Sequence, residues 1–142
     1  MTIGRILASP RSPTVTCDAT CTVAEAIDLL AEHRIGALPI VEADSVVGIF
    51  SERDVVYQLR EHGAQALTLL VRDAMTAPAV TVEPDAEALE ALSLMTRRRI
   101  RHLPVMEQGR MIGFVSIGDL VKYRIEKIQS EAEAMRNYIQ TA

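Results

Sequence analysis

Aromatic side chains are scarce in this chain: three tyrosines, two phenylalanines and no tryptophan, 4% in all. Its core must therefore be assembled from Val, Ile, Leu, Met and Ala. Basic residues are outnumbered, 15 Lys and Arg against 19 Asp and Glu for a net charge of −4. That balance argues against a general nucleic-acid binder, which carries a basic excess. No apolar run approaches the ~20 residues that span a bilayer, and no basic stretch followed by an apolar run reads as a secretory leader, so a cytoplasmic location is expected. Cysteine is limited to Cys17 and Cys21, too few for a disulfide framework. His33, His62 and His102 form no ligand-spaced cluster that would complete a metal site with them. Free thiols in a reducing cytosol are the expectation. Catalytic signatures are missing too: no Gly-x-Gly-x-x-Gly, P-loop, His-Glu-x-x-His or Gly-x-Ser-x-Gly, and no nucleophile, base and orienting group in one motif. The expectation is a non-enzyme.

What the chain does have is a copy of itself. Shifted by 65 residues, Val15–Val56 aligns without a gap on Val80–Val121. Glu25-Ala26 meets Glu90-Ala91, Arg34-Ile35 meets Arg99-Ile100, and Leu38-Pro39 meets Leu103-Pro104. Gly48, Ser51 and Asp54 meet Gly113, Ser116 and Asp119. A register held that long marks an internal duplication.

Each copy has the same grammar. A short strand (Val15–Cys17; Val80–Val82) leads into a helix (Val23–His33; Ala86–Arg98) whose apolar residues recur at helical spacing. A strand follows (Ala37–Val41; His102–Met106), then a polar turn (Glu42–Ser45; Glu107–Arg110) and a second strand (Val46–Phe50; Met111–Val115), a hairpin pattern. A second helix begins at Ser51 or Ser116, and the first of these stops near Gly63, a suitable cap. Short helical turns, Ile3–Leu7 and Leu70–Met75, precede the copies, and Gly63–Leu69 is the linker. The division is residues 1–63, 64–124 and a helical extension, 125–142. The fold class is α/β (α+β): two β-α-β-β-α units, each leaving a sheet face uncovered, packed sheet to sheet about a pseudo-twofold axis. Ile125, Ile128, Ala132, Met135 and Ile139 recur at three- and four-residue steps along the extension. This seam suits either a helix folded back on its own domain or a homodimer contact, the latter favoured.

The stretch Gly48-Ile49-Phe50-Ser51-Glu52-Arg53-Asp54, with Gly113-Phe114-Val115-Ser116-Ile117-Gly118-Asp119, ends a strand and opens a helix. Free N–H groups and the positive end of the helix dipole favour a phosphate there. The aspartate can accept from both hydroxyls of a ribose. The same residues also fit a helix cap and nothing more. The residues alone leave both readings open.

Taken in order and in duplicate, the pattern resembles the CBS domain, the repeat named after cystathionine β-synthase. Arg34-Ile35-Gly36-Ala37-Leu38-Pro39-Ile40-Val41 followed by Gly48–Asp54 carries the resemblance in the first copy. Arg99-Ile100-Arg101-His102-Leu103-Pro104-Val105 followed by Gly113–Leu120 carries it in the second. It runs from Ile3 to about Arg124, so the chain looks like a stand-alone CBS pair. The resemblance implies a regulatory module with two clefts that hold adenosine compounds: AMP, ADP, ATP, NAD or S-adenosylmethionine. Asp54 and Asp119 would hold ribose hydroxyls, and Ser51 and Ser116 ribose or phosphate. Ile35, Gly36 and Ala37, and Ile100, Arg101 and His102, would line the clefts from the facing repeat. Val15-Thr16 and Val80-Thr81 would meet the adenine. The copies differ at Gly36-Ala37 against Arg101-His102 and at Arg53 against Gly118. On this reading the cleft of Ser116 and Asp119 gains Arg101 or His102, that of Ser51 and Asp54 gains Arg53, and the former is favoured. Competing readings are a ligand-free interaction module with an unidentified protein partner, and nucleic-acid binding through Arg97–His102, which lacks interleaved aromatics for stacking. Arg97 and Arg98 are expected to be a solvated helix end.

Overall fold

The computed structural model describes residues 1–141. In chain order, the elements are α1 (Ile3–Leu7), β1 (Cys17–Asp18), α2 (Val23–His33), β2 (Ala37–Glu42), β3 (Ser45–Ser51) and α3 (Glu52–His62). After a 3-10 segment, Gly63–Thr68, come α4 (Val71–Ala74), α5 (Ala88–Arg98), β4 (His102–Glu107), β5 (Arg110–Ser116) and α6 (Ile117–Thr141). The duplication read from the sequence is thus a duplication of architecture.

Local chemistry explains most of these boundaries. Thr22 caps α2 by accepting from the Glu25 amide at 3.2 Å, satisfying a donor that the first turn leaves free. The helix stops where Arg34 turns left-handed at φ 53°, and its equivalent Arg99 ends α5 the same way at φ 54°. Both hairpins close through two residues of positive φ, Ala43-Asp44 and Gln108-Gly109, between the paired positions Glu42 and Ser45, and Glu107 and Arg110. Two central residues with φ > 0 make a type I′ turn, whose twist suits the flanking strands.

The two sheets are not equal. β1 lies parallel to β2, and β2 antiparallel to β3. In the second unit only β4 and β5 form a ladder, and Val82 contributes a single parallel bridge to Val105. The strand expected at Val80–Val82 is therefore reduced to one residue. Val80 and Thr81 lie outside the ladder, as their equivalents Val15 and Thr16 do. The pairing of Glu83 that would match Asp18 with Val41 is lost to a proline: the Ala19 amide donates to Val41 O at 2.9 Å, whereas the equivalent residue, Pro84, has no N–H to give. Likewise α5 starts at Ala88, two residues later than expected, in register with Val23. Glu87 does not cap it, because its carboxylate takes the N-terminal ammonium at 3.1 Å.

Two apolar clusters form, one per sheet, and β3 and β5 touch between them. Their membership crosses the sequence division. Ile3, fully buried, packs with Ala88, Ala91, Met95, Leu103 and Val105 of the second unit. Val71 and Ala74 pack with Val23, Ala26, Leu30 and Ile40 of the first. The backbone mirrors the exchange. Ile3 N–H donates to Ala86 O at 2.9 Å, and Ala88 N–H to Met1 O at 3.0 Å. Val71 N–H donates to Cys21 O at 2.7 Å, and Val23 N–H to Leu69 O at 2.8 Å. Each unit is thus completed by the short helix that, in sequence, precedes the other.

α6 runs 25 residues, and of them only Leu120 is buried. Ile125, Ile128, Met135 and Ile139 are all about half exposed or more. No helix among the described residues is long and apolar enough to cross a membrane. Cys17 and Cys21 are free. Burial, then the hydrogen bond with Cys21, pushes the Cys17 thiol up to about 12.

Candidate functional site

Between the units lies a cavity of about 530 Å³, within the range of small-molecule sites. The end of β3 and the first turn of α3 give it Ser51, Glu52, Arg53 and Asp54. From the second unit, the end of α5 and the start of β4 contribute Arg98, Arg99, Ile100, Arg101 and His102. Gly36 and Ala37 open β2 beside it, and the segment after α4 adds Thr76, Pro78, Ala79 and Val80. The two sides are tied directly: Arg53 donates through Nη1 to Arg99 O at 3.0 Å.

Asp54 is the one buried charged residue among those described, 8% exposed. Its Oδ2 accepts from the Ser51 amide at 2.9 Å and from Ser51 Oγ at 3.1 Å, while Oδ1 accepts from Thr76 Oγ1 at 2.9 Å. Ser51 Oγ in turn accepts from the Asp54 amide at 3.4 Å. This is a reciprocal capping box, so the cap reading of the motif is satisfied. Three donors occupy three of the roughly four lone-pair directions of a carboxylate, leaving room to accept from a ligand. Four arginines against two carboxylates surround the space, and the N-terminus of α3 faces it. The field favours an anion.

His102 stacks on Phe114, ring centroids 5.4 Å apart and 15° between planes. Burial lowers its pKa, and the neighbouring Arg101 lowers it further, against the opposing pull of Asp119 and Glu52. The imidazole is held neutral at a site otherwise rich in fixed positive charge.

The second Ser-x-x-Asp repeats the cap: Ser116 N–H donates to Asp119 Oδ2 at 2.8 Å, and Asp119 N–H to Ser116 Oγ at 3.2 Å. Here, however, an arginine occupies the carboxylate. Arg11 Nη2 lies 2.9 Å from Asp119 Oδ2 and donates also to Phe114 O at 3.0 Å. Burial pushes the Asp119 carboxyl up, but the Ser116 amide and the Arg11 guanidinium outweigh it and hold the group below its ordinary value.

Of the residues expected from sequence, the structure brings Gly36, Ala37, Ser51, Arg53 and Asp54 into one cavity with Val80, Ile100, Arg101 and His102. Arg101 and His102, expected beside Ser116 and Asp119, also line the cavity of Ser51 and Asp54. The start of β4 also lies beside its own unit's motif: His102 pairs with Ser116, and Ile117 N–H donates to Arg101 O at 2.7 Å. Ser116 and Asp119 do not line this cavity. Val15 and Ile35 pack on the first core, and Thr16 and Thr81 are exposed outside it. Arg97 is exposed, as expected for a solvated helix end, but Arg98 stands at the cavity. Tyr57 and Thr76 also line it and were not anticipated. Tyr57 lies one helical turn beyond Asp54, a spacing that would have found it. Thr76 carries no such signal, since its equivalent under the 65-residue shift is Arg11.

The sequence model of the CBS domain matches residues 3–61 and again 71–126. The chain belongs to the CBS-domain family. It is 36% identical over 129 residues to CBSX3, a mitochondrial CBS domain-containing protein of Arabidopsis thaliana, a match covering 87% of this chain and 63% of that one. The chain spans just under two thirds of the length of the first curated relatives it matches. Among solved structures, a CBS-domain containing protein of Agrobacterium tumefaciens superposes with a TM-score of 0.83 at 36% identity, covering 87% of this chain and 99% of that one. CBSX2, solved in complex with AMP, superposes with a TM-score of 0.75 at 25% identity over 88% and 96% of the two chains. The fold is that of a CBS pair: mixed α/β units in tandem, with a small sheet in each. CBS pairs of this kind are regulatory modules.

Proposed function

We propose that this protein is a regulatory sensor that binds an adenosine nucleotide non-covalently in the cavity of Ser51, Asp54, Arg101 and His102. One observation carries the reading: a buried carboxylate with spare acceptor capacity sits in one cavity with four arginines drawn from both units. The carboxylate suits ribose hydroxyls, and the arginines and the α3 N-terminus suit phosphates. Val80, Ala79 and Pro78 offer an apolar floor for a base. The AMP complex of CBSX2 supports the ligand class. Among the candidates, AMP, ATP and NAD fit the charge better than S-adenosylmethionine, whose sulfonium would meet like charge. A ligand touching both units favours one relative arrangement of them, and transmits as much as its affinity differs between arrangements. The nucleotide is bound without turnover. A cytoplasmic setting, where such nucleotides are plentiful, goes with this reading.

The sensor acts as a homodimer. Val56 of α3 and Val121 of α6 are equivalents under the 65-residue shift, and they are 62% and 42% exposed. Tyr57, Leu59, Ile125 and Ile128 extend the exposed apolar faces of these helices. A face already doubled by pseudo-symmetry fits a second copy, because a twofold interface is self-complementary.

A thermal-shift series with AMP, ATP, NAD and S-adenosylmethionine tests the reading, with product analysis of the same samples. Ligand at ~100 times its Kd adds ~2.7 kcal/mol of stability. The expected result is a rise with the phosphate-bearing ligands that Asp54→Ala abolishes, with the nucleotide recovered intact. No rise with any ligand would refute the proposal.

A further inference from the structure

Resting on the nucleotide reading, we propose that Arg11 decides which of the two clefts takes ligand: it occupies the ribose-accepting carboxylate of the second cleft and leaves only the first open. The two carboxylates are equivalents in sequence and in cap geometry, yet their third partners differ. Thr76 donates one hydroxyl to Asp54 at 2.9 Å, and the residue at the same place under the 65-residue shift is Arg11. Its guanidinium takes Asp119 at 2.9 Å and simultaneously Phe114 O at 3.0 Å. A neutral hydroxyl leaves Asp54 its charge and a free direction for a ligand. A guanidinium pairs with Asp119 at Oδ2, the oxygen that also accepts from the Ser116 amide, and so weakens the carboxylate as an acceptor by neutralising its charge rather than by filling its lone pairs.

The segment has the reach to do this. Between α1 and Val15 the chain has seven residues, Ala8–Thr14, where the second copy has five between α4 and Val80, Met75–Ala79. Residues 9–14 lie outside helix and strand, and Ser9–Thr14 are exposed. The extra length lets Arg11 fold over the end of β5. The contact also touches the first cleft indirectly, because Phe114, whose carbonyl Arg11 holds, is the ring on which His102 stacks.

The probe is adenosine, whose ribose reads the carboxylates and whose lack of phosphate removes the arginines' contribution. Titration calorimetry on the full chain should give one adenosine per chain, lost in Asp54→Ala. Arg11→Thr, which restores the residue type of the first cleft, should give two per chain, and Asp119→Ala on that background should return the count to one. Arg11 is exposed, and the melting curve of Arg11→Thr is recorded to show that it folds; Arg11→Ala serves as a second variant with the same expected count. Two adenosines in the unaltered protein, or no gain in either Arg11 variant, would overturn the inference while leaving AMP binding in the first cleft intact. Failure of AMP to bind the unaltered protein would instead bring down the nucleotide reading itself.

Discussion

Replacing Ile3 by alanine tests the exchange of short helices between the units. Ile3 is fully buried, but in the cluster of Ala88, Met95, Leu103 and Val115 rather than among its neighbours in sequence. The change removes three carbons, about 2.4 kcal/mol at ~0.8 kcal/mol each, and leaves a cavity that adds to the cost. Because α1 is one turn near the chain terminus, it can settle partly into the gap, so a total of about 3 kcal/mol follows. Through the usual relation of ~1.4 kcal/mol per tenfold, this is roughly a hundredfold faster exchange for amides released by opening of the second unit. The assay is amide hydrogen exchange resolved by segment. Protection should fall in α5 and the β4–β5 hairpin and hold in α2 and the β2–β3 hairpin. Val71→Ala, buried in the first cluster, should give the reverse pattern with a smaller loss, about 2 kcal/mol for two carbons and their cavity. Loss confined to the first unit in Ile3→Ala, or shared evenly by both, would refute the reasoning that each short helix completes the opposite core.

Three further outcomes are expected. Gly48→Ala should destabilise by about 1–3 kcal/mol, the usual cost of overpacking, since a Cβ there meets the Thr76 carbonyl oxygen at 2.8 Å, whereas Gly113→Ala meets only the movable tip of Leu7 at 2.6 Å and should cost less; urea melts that rank them the other way would be contrary. His102 has a lowered pKa in the free protein, so below its ordinary value near 6.5 the unfolded chain takes up a proton that the folded one resists, and stability falls with pH. A phosphate in the same cavity raises that pKa, so AMP binding should tighten as pH falls from 7.5 towards 6 and should lose this dependence in His102→Gln; titration calorimetry at several pH values checks both. Ile125→Glu with Ile128→Glu should convert a dimer to a monomer in light scattering, and a wild-type monomer or an unaffected dimer would contradict the proposed assembly.

Local chemistry decided a good deal before any tertiary contact formed. The helix at Val23–His33, the type I′ hairpins at Ala43-Asp44 and Gln108-Gly109, the Ser-x-x-Asp caps and the Gly63 stop all depend on residues within a few positions of one another. The 65-residue register, and with it the CBS pair, followed from the same short-range pattern repeated. Tertiary structure alone decided the rest. The loss of a ladder bond at Pro84 needs the partner strand in place, because only there is the missing N–H felt. The crossing of α1 and α4 depends on which apolar face is left uncovered, a question of free volume rather than spacing. Whether a carboxylate meets a threonine or an arginine depends on how a seven-residue connection folds over β5. For that reason the two clefts, nearly equal as sequences, differ as sites: Asp54 faces a shared cavity with Arg101 and His102, and Asp119 faces Arg11.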